Sequence, residues 1–154
     1  MINLHMSTVI YRPVKQVFDF VSAPENDVKW QYGTLLAARL PDGVDKIGSF
    51  FRTIGHLLGR RNQGIFEVTE YEPNRKYGFK SLSGPLHSQT SYTFEMSKDS
   101  TKISITTRAH AGSFFEMNEQ LMERKMKKQL KENLALLKDV LEAQQILPGS
   151  TVIQ

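Results

Sequence analysis

Apolar and polar residues alternate along LHMSTVIY (Leu4–Tyr11), where β-branched types are frequent, and that period of two predicts a strand. The period then lengthens. In RPVKQVFDFVS, Val14, Val17, Phe18 and Val21 stand at i, i+3, i+4 and i+7, one stripe of a helix whose first turn accommodates Pro13. A second short helix is predicted from Ser22, where S-A-P-E has the form of a capping box with Pro24 just inside it, and it should end near Trp30 and Gly33. From there to Ala111 the signals are strand and turn: DGVDKIG, GRRN, EPN, SGP and SKDS separate runs of β character, giving about six further strands. The last stretch is helical. S-F-F-E (Ser113–Glu116) has the form of another capping box, and the helix it opens runs to about Gln144, roughly 31 residues or ~46 Å at the standard rise. Pro148 and Gly149 end it.

Helices segregated to one face of an antiparallel meander make an α+β fold. A helix of that length outreaches a flat sheet, so a curved antiparallel sheet of about seven strands is expected to wrap around it, a helix-grip arrangement. One domain is expected over residues 1–146, with residues 147–154 a short frayed tail.

The hairpin around SKDS fixes its own register. With a two-residue turn at Lys98 and Asp99, Phe94 faces Ile103, Tyr92 faces Ile105 and Thr90 faces Thr107. On the other face Glu95 meets Lys102, Thr93 meets Ser104 and Gln89 meets Arg108, an apolar set on one side and an opposite-charge pair on the other. His87 and His110 then oppose each other on the polar, outward face, so they are read as solvent-facing rather than as metal ligands, and no metal site is expected.

Toward the open end of this hairpin the inward face mixes rings with hydroxyls: Tyr92, Thr90, Ser88 and Thr107, joined by Tyr77, Phe79 and Ser81 from KYGFKS and by Phe66 and Val68 from QGIFEVTEY. In SFFRTIG two alternations compete, Phe50 and Ile54 against Phe51 and Thr53. Buried hydroxyls need partners, and a cavity that orients a guest is one use for them; mutual hydrogen bonding near the sheet rim is the other. The long helix carries Met117, Met122 and Met126 in its first half and Leu130, Leu134, Leu137 and Leu141 in its second. Leucines at near-heptad spacing read as core, whereas methionines adapt to irregular volumes.

Composition removes several classes. The 154 residues contain no cysteine, which excludes disulfides, thiolate zinc sites and cysteine nucleophiles and suits a reducing, cytoplasmic setting. MINLHMSTVI lacks the basic and continuous apolar parts of a secretory signal, and no stretch approaches the ~18 apolar residues of a membrane span. The net charge of +4 is concentrated in RKMKKQLK (Arg124–Lys131), read first as a solvated helix face and second as a weak contact with an anionic surface. Nucleic acid is not expected, because no exposed aromatics interleave with that run. No GxGxxG, GxxxxGK[ST], HExxH or GxSxG is present, and no cofactor is expected.

The order of elements, with RPVKQVFDFVSAPENDVKW, GIFEVTEYEPNRKYGFKS and SQTSYTFE, resembles the START-like (SRPBCC) superfamily, and within it the polyketide cyclase/dehydrase and lipid-transport group, which shares the helix-grip fold of the birch-pollen-allergen type. V-F-D-F-V-x-x-P-E-N-x-x-K-W (Val17–Trp30) and V-T-E-Y-E-P-N-R (Val68–Arg75) carry the resemblance; the G-T expected after the SKDS turn is Ser100-Thr101. The resemblance implies a cavity between sheet and long helix for a lipid, a polyketide or another hydrophobic molecule, and no shared catalytic motif. Residues expected to contact such a ligand are Phe18, Trp30, Phe66, Phe79, Ser81, Thr90, Tyr92, Thr107, Met122 and Met126. The alternative is a cyclase or dehydratase acting on a poly-β-keto chain, for which Glu67, Glu70 and His56 are the acid–base candidates. A further alternative is an interaction module that uses the basic helix face.

Overall fold

The structure, a computed structural model, describes residues 1–41, 46–110 and 117–144. The chain begins with β1 (Ile2–Ile10), followed by α1 (Val14–Val21) and a 3-10 helix (Pro24–Lys29). Six strands follow: β2 (Thr34–Arg39), β3 (Phe50–Leu57), β4 (Arg60–Glu72), β5 (Lys76–Ser81), β6 (His87–Met96) and β7 (Thr101–His110). The last described element is α2 (Glu119–Ala143). The sheet runs β1-β7-β6-β5-β4-β3-β2, antiparallel throughout, and curls around α2 as an α+β helix-grip. Register shifts between Val68 and Glu70 and between Thr34 and Leu36 add the local bends that such curling needs.

The β6–β7 hairpin has the register expected from the sequence. Phe94 lies opposite Ile103, Tyr92 opposite Ile105, Thr90 opposite Thr107 and Glu95 opposite Lys102, and the Ser97 N–H donates to the Ser100 carbonyl at 2.9 Å across the turn. His87 and His110 oppose each other and both are exposed. In β3 the second of the two competing alternations is the inward one: Phe51 is buried and stacks on Phe66 with ring centroids 5.2 Å apart.

Two helix starts differ from the expectation. The S-A-P-E segment makes a 3-10 helix with Ala23 as N-cap and no side-chain cap bond, so Ser22 does not act as the cap. Pro24 occupies the first turn and the segment is only 6 residues long, too short to gain from α-type bonding. The long helix begins at Glu119, where Asn118 Oδ1 accepts from the Leu121 N–H at 2.8 Å; at 25 residues it is ~37 Å long. The S-F-F-E segment and the tail 147–154 lie outside the described residues.

The second half of α2 is tied to the corner between β1 and α1. Arg12 Nη2 donates to the carbonyls of Glu142 and of Gln144 (2.9 Å), satisfying acceptors that a helix end leaves open. The Tyr11 N–H donates to Glu142 Oε2 at 2.9 Å, and Lys138 Nζ bridges the Val9 carbonyl and Glu142. Leu134, Leu137 and Leu141 are buried in one cluster with Ile10, Val17, Phe18, Val21, Tyr92 and Phe94. A second, smaller cluster gathers Ile2, Leu4, Ala109, Met122 and Met126, with Leu57, Leu58 and Leu130 packed against it. Arg124, Lys127, Lys128 and Lys131 are exposed, as a solvated basic face requires. Among the described residues no helix is long and apolar enough to cross a membrane.

Candidate functional site

Between the first half of α2 and one end of the sheet lies a cavity of about 570 Å³. Its apolar wall is Leu4 of β1, Leu57 and Leu58 at the tip of the β3–β4 hairpin, and Met117, Met126 and Leu130 on or before α2. Polar groups come from Tyr32, His56, Thr107, Lys125, Gln129 and Asn133. Among the described residues that line it there is no aspartate or glutamate. Volume and lining both suit a small organic guest, for which apolar walls supply burial and a few polar groups supply orientation.

Local sequence explains how these groups come together. Gly33 has φ of 83° and its carbonyl accepts from the His56 N–H at 2.7 Å; a Cβ on Gly55 would stand 2.2 Å from that same oxygen. Only glycines allow this approach, which brings the Tyr32–Gly33 loop against the end of β3. At the hairpin tip Leu58 and Gly59 both have positive φ, 51° and 82°, the backbone of a type I′ turn. Glycine or asparagine is the favoured first residue there; a leucine costs about 1 kcal/mol or more. What the leucine adds is an apolar side chain on the cavity wall.

Of the ten residues expected from the sequence, the structure brings Thr107 and Met126 to this wall. Thr90 stands behind it, its hydroxyl 3.1 Å from that of Thr107, so these two hydroxyls satisfy each other. Met122 is buried in the smaller cluster beside the cavity. The others lie deeper or elsewhere. Phe18 packs edge-on against Tyr71 and Phe94 (5.4 and 5.1 Å), Phe66 and Phe79 close on Phe51, and Tyr92 stacks on Tyr77 (5.9 Å) with Trp30 at 6.4 Å. Ser81 Oγ accepts from the Ser88 N–H at 2.9 Å.

Sequence reasoning missed Tyr32, Lys125, Gln129 and Asn133. The signal was present: Lys125, Gln129 and Asn133 stand at i, i+4 and i+8, directly beside the apolar stripe Met122, Met126, Leu130, Leu134. Grouping Lys125 with its basic neighbours hid it.

One ionisable group sits close to the aromatic core instead of at the cavity. Burial pushes the Asp27 carboxyl up to about 8, with the Glu25 charge adding to it. Burial also raises Tyr77 and Tyr92 above the usual phenol range, and the Asp27 charge adds to both. Asp27 does not line the cavity.

Comparisons with solved structures agree with the fold. A START superfamily protein from Mycobacterium smegmatis superposes with a TM-score of 0.77 at 14% identity, covering 92% of this chain and 98% of the other. A protein from Thermus thermophilus gives the same TM-score and identity over 92% and 97%. The di-domain ARO/CYC BexL from the BE-7585A biosynthetic pathway gives 0.73 at 16% identity, covering 92% of this chain and 47% of that one. No curated protein matches the chain. The pattern of one family, described as polyketide cyclase / dehydrase and lipid transport, matches residues 1–142, and with that span the chain belongs to this family.

Proposed function

We propose that the protein holds a small hydrophobic or aromatic molecule in the cavity between sheet and α2, for carriage or sequestration. The observation that carries this reading is the volume itself: about 570 Å³ left open beside a helix whose other half is fully packed. Met126, Leu57 and Leu130 supply apolar contact, and Thr107 a hydroxyl whose partner Thr90 holds it in place. Phe66, Phe79, Phe18, Trp30, Tyr92, Ser81 and Met122 act in this account as the shell that keeps the wall rigid, or as contacts for a guest long enough to reach them.

Mass spectrometry of the protein purified under native conditions, with a titration of N-phenyl-1-naphthylamine, tests this. A co-purifying small molecule, or saturable binding of about one probe per chain with a raised Tm, is expected. Absence of both sinks the reading.

The second reading is a cyclase or dehydratase for a poly-β-keto chain, and one observation favours it: His56 is on the cavity wall. General acid–base chemistry needs such a group within reach of the reacting carbon. Glu67 and Glu70 are not on that wall; Glu67 pairs with Lys80 at 3.7 Å and Glu70 accepts from Ser91 at 2.7 Å. Turnover of a poly-β-keto substrate that vanishes in His56→Gln, with ligand binding retained, would establish the enzyme.

A further inference from the structure

Lys125, Gln129 and Asn133 form a polar file along the side of α2 that faces the cavity. Asn133 is only 6% exposed and is fixed from two directions: its Oδ1 accepts from the Tyr32 backbone N–H at 3.0 Å and from Gln129 Nε2 at 3.1 Å. A backbone N–H can only donate, so the amide cannot be turned over. Nδ2, with two N–H groups, therefore points away from both partners, and it meets no acceptor among the described residues. Open to the cavity, those two N–H groups are met by water until a guest with an acceptor oxygen takes its place. Unlike the Trp30 Nε1 atom, which is sealed in without a partner, Asn133 Nδ2 is not closed off, and its residue lines the cavity.

At the other end of the file Lys125 is exposed at the mouth and has no ion-pair partner among the described residues. His56 lies on the same cavity, and no carboxylate on its described wall offsets the positive charge. The wall thus offers a cation at the entrance, donors about 12 Å further along the helix by its standard rise, and apolar side chains between them. Neither end offers a charge that a cationic guest would need.

We propose that the cavity selects apolar carboxylic acids, the carboxylate meeting Lys125 and a second acceptor oxygen within the molecule, a ketone or hydroxyl, meeting Asn133 Nδ2. The proposal rests on the reading of the cavity as a ligand site and adds the chemistry that site recognises. Lys125 selects the acid over neutral molecules of the same shape; Asn133 selects an oxygenated chain over a plain one.

The test uses the full chain with cis-parinaric acid and its methyl ester as probes. The acid should bind at least about fivefold more tightly than the ester, and Lys125→Gln, a surface change that leaves packing alone, should remove that ratio without weakening the ester. In competition, an octadecanoic acid with a ketone near mid-chain should displace the probe better than octadecanoic acid. Asn133→Asp keeps both bonds that Oδ1 accepts but replaces the donors with oxygen, and it should abolish that preference. Equal binding of acid and ester, unchanged in Lys125→Gln, overturns this proposal and leaves the ligand cavity standing. If neither probe binds, both fall.

Discussion

The two halves of α2 pack against the same sheet in opposite ways. The second half presents Leu134, Leu137 and Leu141, all within 2% of full burial, to a dry cluster of rings and branched side chains, and its end is held by Arg12 and Lys138. The first half presents Met122 and Met126 together with Lys125, Gln129 and Asn133, and leaves about 570 Å³ open. One helix thus packs a dry core at one end and borders the candidate site at the other. The difference follows from residue choice: leucine at near-heptad spacing fills a shared volume, whereas methionine and a parallel polar file line one.

The largest consequence is in stability. Leu137→Ala, in the dry half, should cost about 3–4 kcal/mol, the transfer loss plus a new cavity. Met126→Ala should cost only about 1–2 kcal/mol, because that side chain already borders open volume. Urea unfolding of both variants measures the contrast; equal losses would erase the distinction between the halves.

The next effect concerns charge at the dry end. Asp27 holds its proton up to about 8 in the folded chain against an ordinary 3.8, so folding takes up a proton between those values. This contribution to stability is greatest below the lower value, falls as pH rises toward about 8 and is constant above it. Asp27→Asn should flatten that slope and raise stability at alkaline pH by roughly 2–4 kcal/mol, less than the full shift because the surroundings and water rearrange around a buried charge. Unfolding curves taken across the pH range decide it; an unchanged slope would mean Asp27 is ionised when folded.

The smallest effect separates fold from site. Leu58→Asn puts a residue suited to positive φ into the hairpin turn and should stabilise the fold by up to about 1 kcal/mol. The same change removes an apolar group from the wall, so probe binding should weaken. Calorimetry and a binding titration on one preparation check both signs; loss of stability with intact binding would reverse the argument for Leu58.

How much of this was legible in the sequence differs between the halves as well. The order of elements along the chain, the β6–β7 register and the leucine stripe were readable because strict periods of two and near seven leave few alternatives; the pairing of β1 with β7 was not, since no local period encodes it. Helix starts were less so. S-A-P-E satisfies a local rule that Pro24 and a short segment override, and Asn118 caps α2 without a glutamate three residues on, so no capping box announced it. The cavity was placed toward Tyr92 and Phe79 because hydroxyls beside rings suggested a guest; the structure stacks Tyr92 on Tyr77 and pairs Thr90 with Thr107. Lys125 and Asn133 carried a signal, their helical spacing beside the methionine stripe, but a polar residue on a helix looks solvated until Tyr32 and Leu57 are seen across from it.

In the proposed function the first half of α2 borders a volume kept open for a guest. Filling it is the most direct test: Met126→Trp, with N-phenyl-1-naphthylamine as probe. The unaltered chain should bind the probe saturably and the variant at least about tenfold more weakly, with Tm nearly unchanged. Undiminished binding to a folded Met126→Trp chain would contradict it.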